Sequence, residues 1–589
     1  MFLKCLLLTS VILLSYLSFY GQSGFPYESE WKLIDSLIIK KNLPKSALAE
    51  VNKVWAAAKK DKNEAQWVKA IIYRNQLMDF EDRNINQKII GFENEIISAP
   101  PRVAALLNSI EAEQLNQYLQ GERYQIEIRT ELTADTSADI TTWTLGRLNK
   151  RIRSLYFSSL DNPVLLQRTP IESFDPILYK GANRDLRPTL YDLLSWRALD
   201  YFQTSLRDGS PDSDDSLLQN PYLFTDALFF MHFGFSGSDS NSNYIDAIRI
   251  YQLLLRFHAK DIPVDAYIDA DIKRIQFLYQ YAQLPEKDSL YLNALGRITR
   301  QYPSLSISSQ AWFLQAEWWA DRAGKYNALG DTTGRFDYLK ALAICQKAIV
   351  HPDSSEGKSN CENLIYKIHK QSFNLTIEQV NIPNQPCRVL ATYKNITRLW
   401  ARIIRIDDAT KELFDRNSEN SKSWTKWIHL AYKKSFVQSL PETGDFQEHR
   451  VEFKIDALPI GQYALLTSSD SLFNDRAVMG LTTFFCSGIA YVANQDDIFV
   501  LDRDSGHPLP GVKIKMYDET YSKGESKFGY IKSFQTDVHG YFHLTAAKRY
   551  YNQKLEFYLG QDYLSTVQII NYYRNNDREE KRSLDRSDI

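Results

Sequence analysis

Histidine, cysteine and clustered acids are the residues through which this 589-residue chain could do chemistry, and it carries nine histidines and five cysteines. His539 and His543 stand four apart, the spacing that puts two metal ligands on one helix face. Gly540 and the alternation Tyr541-Phe542-His543-Leu544 place them instead on a turn and a strand, so no metal site is expected there. His232 sits among Phe229, Phe230, Met231 and Phe233 and reads as a core histidine rather than a general base. Gly234-Phe-Ser236-Gly-Ser238 approaches a nucleophile elbow, but its fifth residue is serine and no strand–turn–helix surrounds it. A flexible polar loop is the better reading. Asp212, Asp214 and Asp215 suggest calcium, yet such a loop needs glycine at its sixth position and a bidentate acid at its twelfth, where Leu223 stands. They read as a solvated acidic loop. Neither His-Glu-x-x-His nor a standard glycine-rich phosphate loop occurs. The sequence predicts a non-enzymatic chain with no catalytic residue, no metal and no cofactor.

The cysteines point to architecture. Cys5 precedes an apolar run, so it cannot be the acylated cysteine of a lipoprotein. The others are Cys345, Cys361, Cys387 and Cys486. Cys345 lies about six residues before a turn at Pro352–Glu356 and Cys361 about five after it, so at about 1.5 Å per helical residue both fall roughly 8–9 Å from the end of a hairpin. There they can face each other. A disulfide is one expectation and two small buried thiols the other. Cys387 and Cys486, near the two ends of the first strand-rich segment, form a second candidate pair.

The elements that must position these residues change character near residue 371. Before it, apolar residues recur at helical spacing: Leu190, Leu193, Leu194, Ala198 and Tyr201 share one face, and Ile248, Tyr251 and Leu255 another. Pro188 is placed for a first helical turn. Ala311–Ala323 and Phe336–Val350 read as a helical hairpin, in which Ala341, Cys345, Ala348 and Pro352 have the spacing of a tetratricopeptide helix. After residue 371 the period is two. Phe373, Leu375 and Ile377, then Val451, Phe453 and Ile455, then Val512, Ile514 and Met516 alternate with polar neighbours, as half-buried strands do. The expected architecture is multidomain, α then β: a tetratricopeptide-like stack of helical hairpins over residues 24–370, then antiparallel β-sandwiches over 371–487 and 488–574. A charged tail over 575–589 is expected to be disordered.

Lys4, the apolar run ending at Tyr20 and the small residues Gly21, Ser23 and Gly24 make residues 1–22 a secretory signal peptide. The run is shorter than the roughly 20 residues a membrane-spanning helix needs. The chain is therefore expected to be secreted, periplasmic or held at the cell envelope, with no transmembrane segment after cleavage. With 70 basic against 72 acidic residues, it has no electrostatic footprint for nucleic acid and no polybasic membrane signal. Hydrophobic residues at 44% supply ample core, and aromatic content is high at 13%.

Several stretches are familiar as sequence. Leu458-Pro-Ile-Gly461-Gln-Tyr463-Ala-Leu465 resembles the late hairpin that closes a macroglobulin-type sandwich. Phe499-Val-Leu-Asp502-Arg-Asp-Ser-Gly506-His-Pro508-Leu-Pro-Gly511-Val512 and Thr536-Asp537-Val-His-Gly540-Tyr-Phe542 resemble a module shared with carboxypeptidase-regulatory-like domains. Leu186-Arg-Pro188-Thr-Leu-Tyr191-Asp192 and Gly357-Lys-Ser-Asn-Cys361-Glu-Asn-Leu364 resemble the helical region ahead of such sandwiches. Together they make the chain similar to the N-terminal part of a large alpha-2-macroglobulin family protein of the Bacteroidetes type. The resemblance implies an endopeptidase inhibitor whose full-length form engages proteases or other proteins. Three departures limit it. The family's Cys-x-Glu-Gln thioester is missing, because Cys361-Glu362-Asn363 lacks the glutamine, and no Asp-Arg-x-x-Tyr-Arg-Pro-Gly signature or bait region occurs. A fragment of such an inhibitor is expected. The rival expectation is an envelope adhesion or glycan- and protein-binding scaffold, favoured by Trp and Tyr gathered in one groove and disfavoured by burial of Trp312, Trp318 and Trp319 between helices.

Overall fold

A computed structural model describes residues 25–78, 85–129, 137–181, 183–207, 215–234, 242–350, 352–407, 410, 424–474, 476–494, 496–522, 525–544 and 553–565. Residues 1–24, residues 235–241 of the polar loop, Asp212, Asp214 and residues 575–589 lie outside them. The longer helices are α1 Tyr27–Asp35, α2 Pro44–Asp61, α3 Glu64–Met78, α4 Ile85–Ser98, α5 Pro101–Gly121, α6 Leu145–Ser158, α7 Leu190–Arg207, α8 Asn243–His258, α9 Asp265–Tyr281, α10 Lys287–Gln301, α11 Ser309–Ala323, α12 Asp337–Ile349 and α13 Glu356–His369. Strands run from β1 Ser372–Ile377 to β15 Asp562–Ser565, so the change of period falls between the last long helix and the first strand. The chain divides into two compact units, Met1–Gln315 with Gln346–Asn360, and Ala316–Cys345 with Cys361–Ile589.

In the first unit, helices bury one face and tie the rest together with cations. The α7 stripe Leu190, Leu194, Ala198 and Tyr201 is buried, while Leu193 is only half-buried. Thr189 and Asp192 form a reciprocal cap: the Asp192 amide donates to Thr189 Oγ1 at 3.3 Å, and Asp192 Oδ2 accepts the Thr189 amide at 3.0 Å. Because Thr189 takes the capping position, Pro188 lies outside the helix rather than in its first turn, its carbonyl accepting from the Ile171 amide at 2.9 Å. Between helices, Arg153 of α6 forks onto the fully buried Asp246 of α8, and Arg197 of α7 reaches Ser109 Oγ at 2.8 Å on α5.

The second unit holds the sheets. The first sandwich joins the sheet β1–β3 (Cys387–Lys394)–β6 (His449–Ile455) to the sheet β2 (Val380–Asn381)–β8 (Met479–Cys486)–β7 (Gly461–Ser468)–β4 (Arg398–Ile406)–β5 (Lys434–Ser439). Alternation sets the register: Leu375 faces Ala391, and Ile377 faces Val389. The shared core holds Leu375, Ile377, Val389, Ile403, Ile455, Tyr463 and Leu465. Pairing is antiparallel except that β2 runs parallel to β8, a departure from the all-antiparallel expectation. Strand β7 is buried on both faces, because Ala464 and Leu466 point into a second cluster with Ile404, Ile406 and Phe473. Partly buried Ile428 and Leu430 pack on that cluster. The sequence reading missed this covering, since the two apolar residues show no strand period.

The second sandwich joins β13 (Tyr541–His543)–β10 (Asp497–Asp502)–β9 (Ile489–Asn494) to β12 (Glu525–Gln535)–β11 (Lys513–Ser522)–β14 (Gln553–Leu559)–β15. Its core contains Ile498, Val500, Val512, Ile514, Met516, Phe542, Leu555 and Phe557. Gly540 has φ +72, and a Cβ there would lie 2.4 Å from the Val500 carbonyl, so the turn into β13 admits only glycine.

Candidate functional site

The residues singled out for chemistry do not converge. His232 ends the short helix Ala227–His232 as an exposed side chain, its Nδ1 2.9 Å from the Leu228 carbonyl, not as the core histidine expected. The apolar neighbours that suggested burial divide between the two sides of the segment: Phe230 and Met231 are buried, and Phe229 is 49% exposed. His539 lies in the turn before β13, and His543 sits on β13 with its Nδ1 2.8 Å from Asp497 Oδ1. The two share no helix face.

Buried charge gathers elsewhere, and its partners account for it. Asp445, fully buried, accepts from Arg335 Nε, His449 Nε2 and Thr443 Oγ1, each at 2.8 Å, and from the Gln447 amide at 3.1 Å. Burial alone would raise its pKa, but these hydrogen bonds hold the carboxyl far below the ordinary range. Gln447 extends the clamp to the Ala323 carbonyl at 3.0 Å. His258 lies between two carboxylates, with Nε2 2.8 Å from Asp192 Oδ1 and Nδ1 2.6 Å from Asp261 Oδ2. Burial opposes its charge, yet the two acids outweigh burial and raise its pKa. Arg274 is fully buried, bonded to Asp271 and to the Leu223 and Thr225 carbonyls at 2.6 and 3.0 Å. Burial pushes Glu111 up to about 7 against the pull of Arg151. Each of these groups is spent on holding helices, turns or loops in place. The sequence could not announce them, because the partner of Asp445 lies 110 residues away and that of His258 66.

An open cleft of about 570 Å³ lies in the first unit, lined by polar and apolar side chains alike. Leu193, Trp196, Asp200 and Gln203 of α7 face Tyr251 of α8 and Gln276 of α9 across it. The Arg187 guanidinium lies 4.0 Å over the Trp196 ring, and Trp196 meets Tyr251 edge-on at 6.1 Å. Gln203 Nε2 donates to the Tyr251 hydroxyl at 2.9 Å. Two buried polar atoms of its lining residues, Arg187 Nε and Gln276 Oε1, have no hydrogen-bond partner and are closed off from solvent. None of Glu111, His258, Asp271 or Asp445 lines it. Leu193, Trp196, Asp200 and Gln203 recur at helical spacing beside the buried stripe of α7; that mixed polar and aromatic face is the signal the sequence held and the reading above did not use. Trp312, Trp318 and Trp319 are half-buried, with Lys340 4.1 Å over Trp319.

The four cysteines are thiols in the structure and are buried. Cys345 lies on α12 and Cys361 on α13, near enough that Cys345 pushes the Cys361 thiol upward. Cys486 on β8 and Cys387 on β3 share the core between the two sheets, where Cys387 pushes the Cys486 thiol upward.

Among the described residues no helix is long and apolar enough to cross a membrane. No protein-family profile matches the chain, and no curated protein does. Solved structures do. Native Escherichia coli alpha-2-macroglobulin spanning domains NIE-MG1 matches at 13% identity over 34% of this chain and 97% of that one, with a TM-score of 0.24. A longer piece from the same organism, spanning MG0-NIE-MG1, matches at 13% over 33% and 64%, TM-score 0.25. Salmonella alpha-2-macroglobulin reacted with methylamine matches at 12% over 34% and 16%, TM-score 0.16. The chain is similar to these proteins over a third of its length, and superpositions at such scores do not by themselves assign its fold.

Proposed function

We propose that this chain is an exported, non-enzymatic array of binding domains, built as the N-terminal segment of an alpha-2-macroglobulin-like endopeptidase inhibitor. One observation carries the reading: helices give way to two sandwiches whose turns hold the residues that suggested the family. Pro459 and Gly461 lead into β7, Gly506 and Gly511 turn with φ +72 and +75 between β10 and β11, and Gly540 turns into β13. The helical hairpins, α11 with α12 among them, stack in a tetratricopeptide-like manner. Without a Cys-x-Glu-Gln, capture of a protease by this polypeptide would be non-covalent. The test is size-exclusion chromatography with a serine endopeptidase whose nucleophile has been replaced by alanine. Co-elution that denaturing detergent reverses supports the reading; failure to co-elute at about 100 µM, far above the affinity range of specific protein pairs, rejects it.

The cleft beside Trp196 favours a second reading, a scaffold that binds glycans. Sugar hydroxyls both donate and accept, which suits the Asp200 and Gln203 side chains of its lining, and an apolar sugar face packs on aromatic rings. Titration with neutral disaccharides, followed by tryptophan fluorescence, separates the two. Saturable quenching that Trp196→Ala abolishes supports the second reading, and a flat trace rejects it.

A further inference from the structure

The described residues hold four cysteines, all buried, one pair on the neighbouring helices α12 and α13 and the other in one sandwich core. One pair spans neighbouring helices of a hairpin. The other spans the two sheets of a sandwich, where Cys387 pairs across β3–β6 with Ile455 and Cys486 pairs across β7–β8 with Gly461. Their relative exposures are 0% for Cys345, Cys361 and Cys486 and 2% for Cys387. We propose that both pairs are cystines, Cys345–Cys361 and Cys387–Cys486, introduced by a dithiol–disulfide oxidoreductase before the second unit has packed.

The chemistry sets that timing. One cysteine thiolate attacks the carrier's disulfide, forms a mixed disulfide and expels one carrier thiolate; the second cysteine thiolate attacks the mixed disulfide, closes the protein S–S bond and releases the other. Two thiols of the chain lose two protons and two electrons, and one carrier disulfide becomes a dithiol. The attacking species must be an exposed thiolate. In the folded unit all four sulfurs are buried, three of them completely, so no carrier can reach them. The order along the chain then matters. The pairs are consecutive, first with second and third with fourth, so a chain oxidised as it emerges from its N-terminal side forms each native bond before the next pair arrives. No disulfide isomerase is required.

The test uses the full chain exported to a bacterial periplasm, trapped with maleimide under denaturing, non-reducing conditions and mapped by mass spectrometry. Peptides linked 345–361 and 387–486 with no maleimide on the four cysteines support the proposal; maleimide on all four, or a 361–387 link, overturns it. Export from a host lacking the isomerase should leave the same map, and scrambled links there overturn the consecutive order. For the timing, the chain is made reduced and folded, then exposed to oxidised glutathione. Expected is less than a tenth of the thiol loss seen with the same chain in denaturant. Equal loss in both states overturns oxidation before packing.

Discussion

Both oxygens of Asp445 are taken by Arg335, His449, Thr443 and the Gln447 amide. Asp445→Ala would leave the His449 imidazole and the Gln447 amide without their acceptor, while the half-exposed Arg335 turns to water, and a buried polar group left unsatisfied costs about 1–3 kcal/mol. Denaturant unfolding of the variant should show a loss of that size. The carboxyl's pKa is depressed, so its contribution is present above the unfolded carboxylate value, about 3.9, and fades as pH falls toward the folded one. The wild type should lose stability steeply below about pH 4, and the variant should show a shallower slope. His258 behaves oppositely. Its pKa is raised by Asp192 and Asp261, so its contribution is full below about 6.5 and fades as pH rises through the folded value. His258→Gln should cost about 1.5–3 kcal/mol at pH 5.5, the worth of charged hydrogen bonds, and less at pH 9. Hydrogen exchange over α7 and α8 reads the difference, and an equal deficit at both pH values would contradict it.

At the scale of elements, close approach between helices decides where glycine is obligatory. A Cβ on Gly357 of α13 would lie 2.2 Å from the Gln310 amide nitrogen and 2.3 Å from the Ser309 carbonyl carbon of α11. Gly357→Ala gains about 1 kcal/mol of intrinsic helix propensity, but overpacking against backbone costs about 1–3 kcal/mol. The clash should win, and the melting temperature should fall. Gly91, in α4, has nothing within 4 Å of such a Cβ, so Gly91→Ala should raise stability by up to about 1 kcal/mol. The helical faces of α7 and α8 and the strand alternations of β1, β6 and β11 were legible because one buried face imposes its own period. Pro188 was misplaced by one element boundary, since a capping threonine outranks a proline that only suits a first turn. Strand β7 hid its two-faced burial, because Tyr463 and Leu465 alone satisfy the period while Ala464 and Leu466 answer to a cluster assembled from Ile404, Ile406 and Phe473.

For the molecule as a whole, the paired cysteines predict a reduction-sensitive second unit. Loss of a native disulfide typically costs about 2–5 kcal/mol, more for longer loops, so the bond across the sandwich should matter more than the one across the hairpin. Urea unfolding with and without reductant should differ by that amount, and a chain with all four cysteines replaced by serine should show no response. The division into helices then strands followed from local rules, since side-chain period and turn chemistry are written within a few residues of each other. The same rules raised the Cys345–Cys361 pairing, because a hairpin brings residues equidistant from its turn together. The Asp445 clamp, the His258 bridge and the cleft beside Trp196 were out of reach of those rules. Each joins residues tens of positions apart, and only the packing of one element on another brings their polar atoms within hydrogen-bonding distance and excludes the water that would otherwise satisfy them.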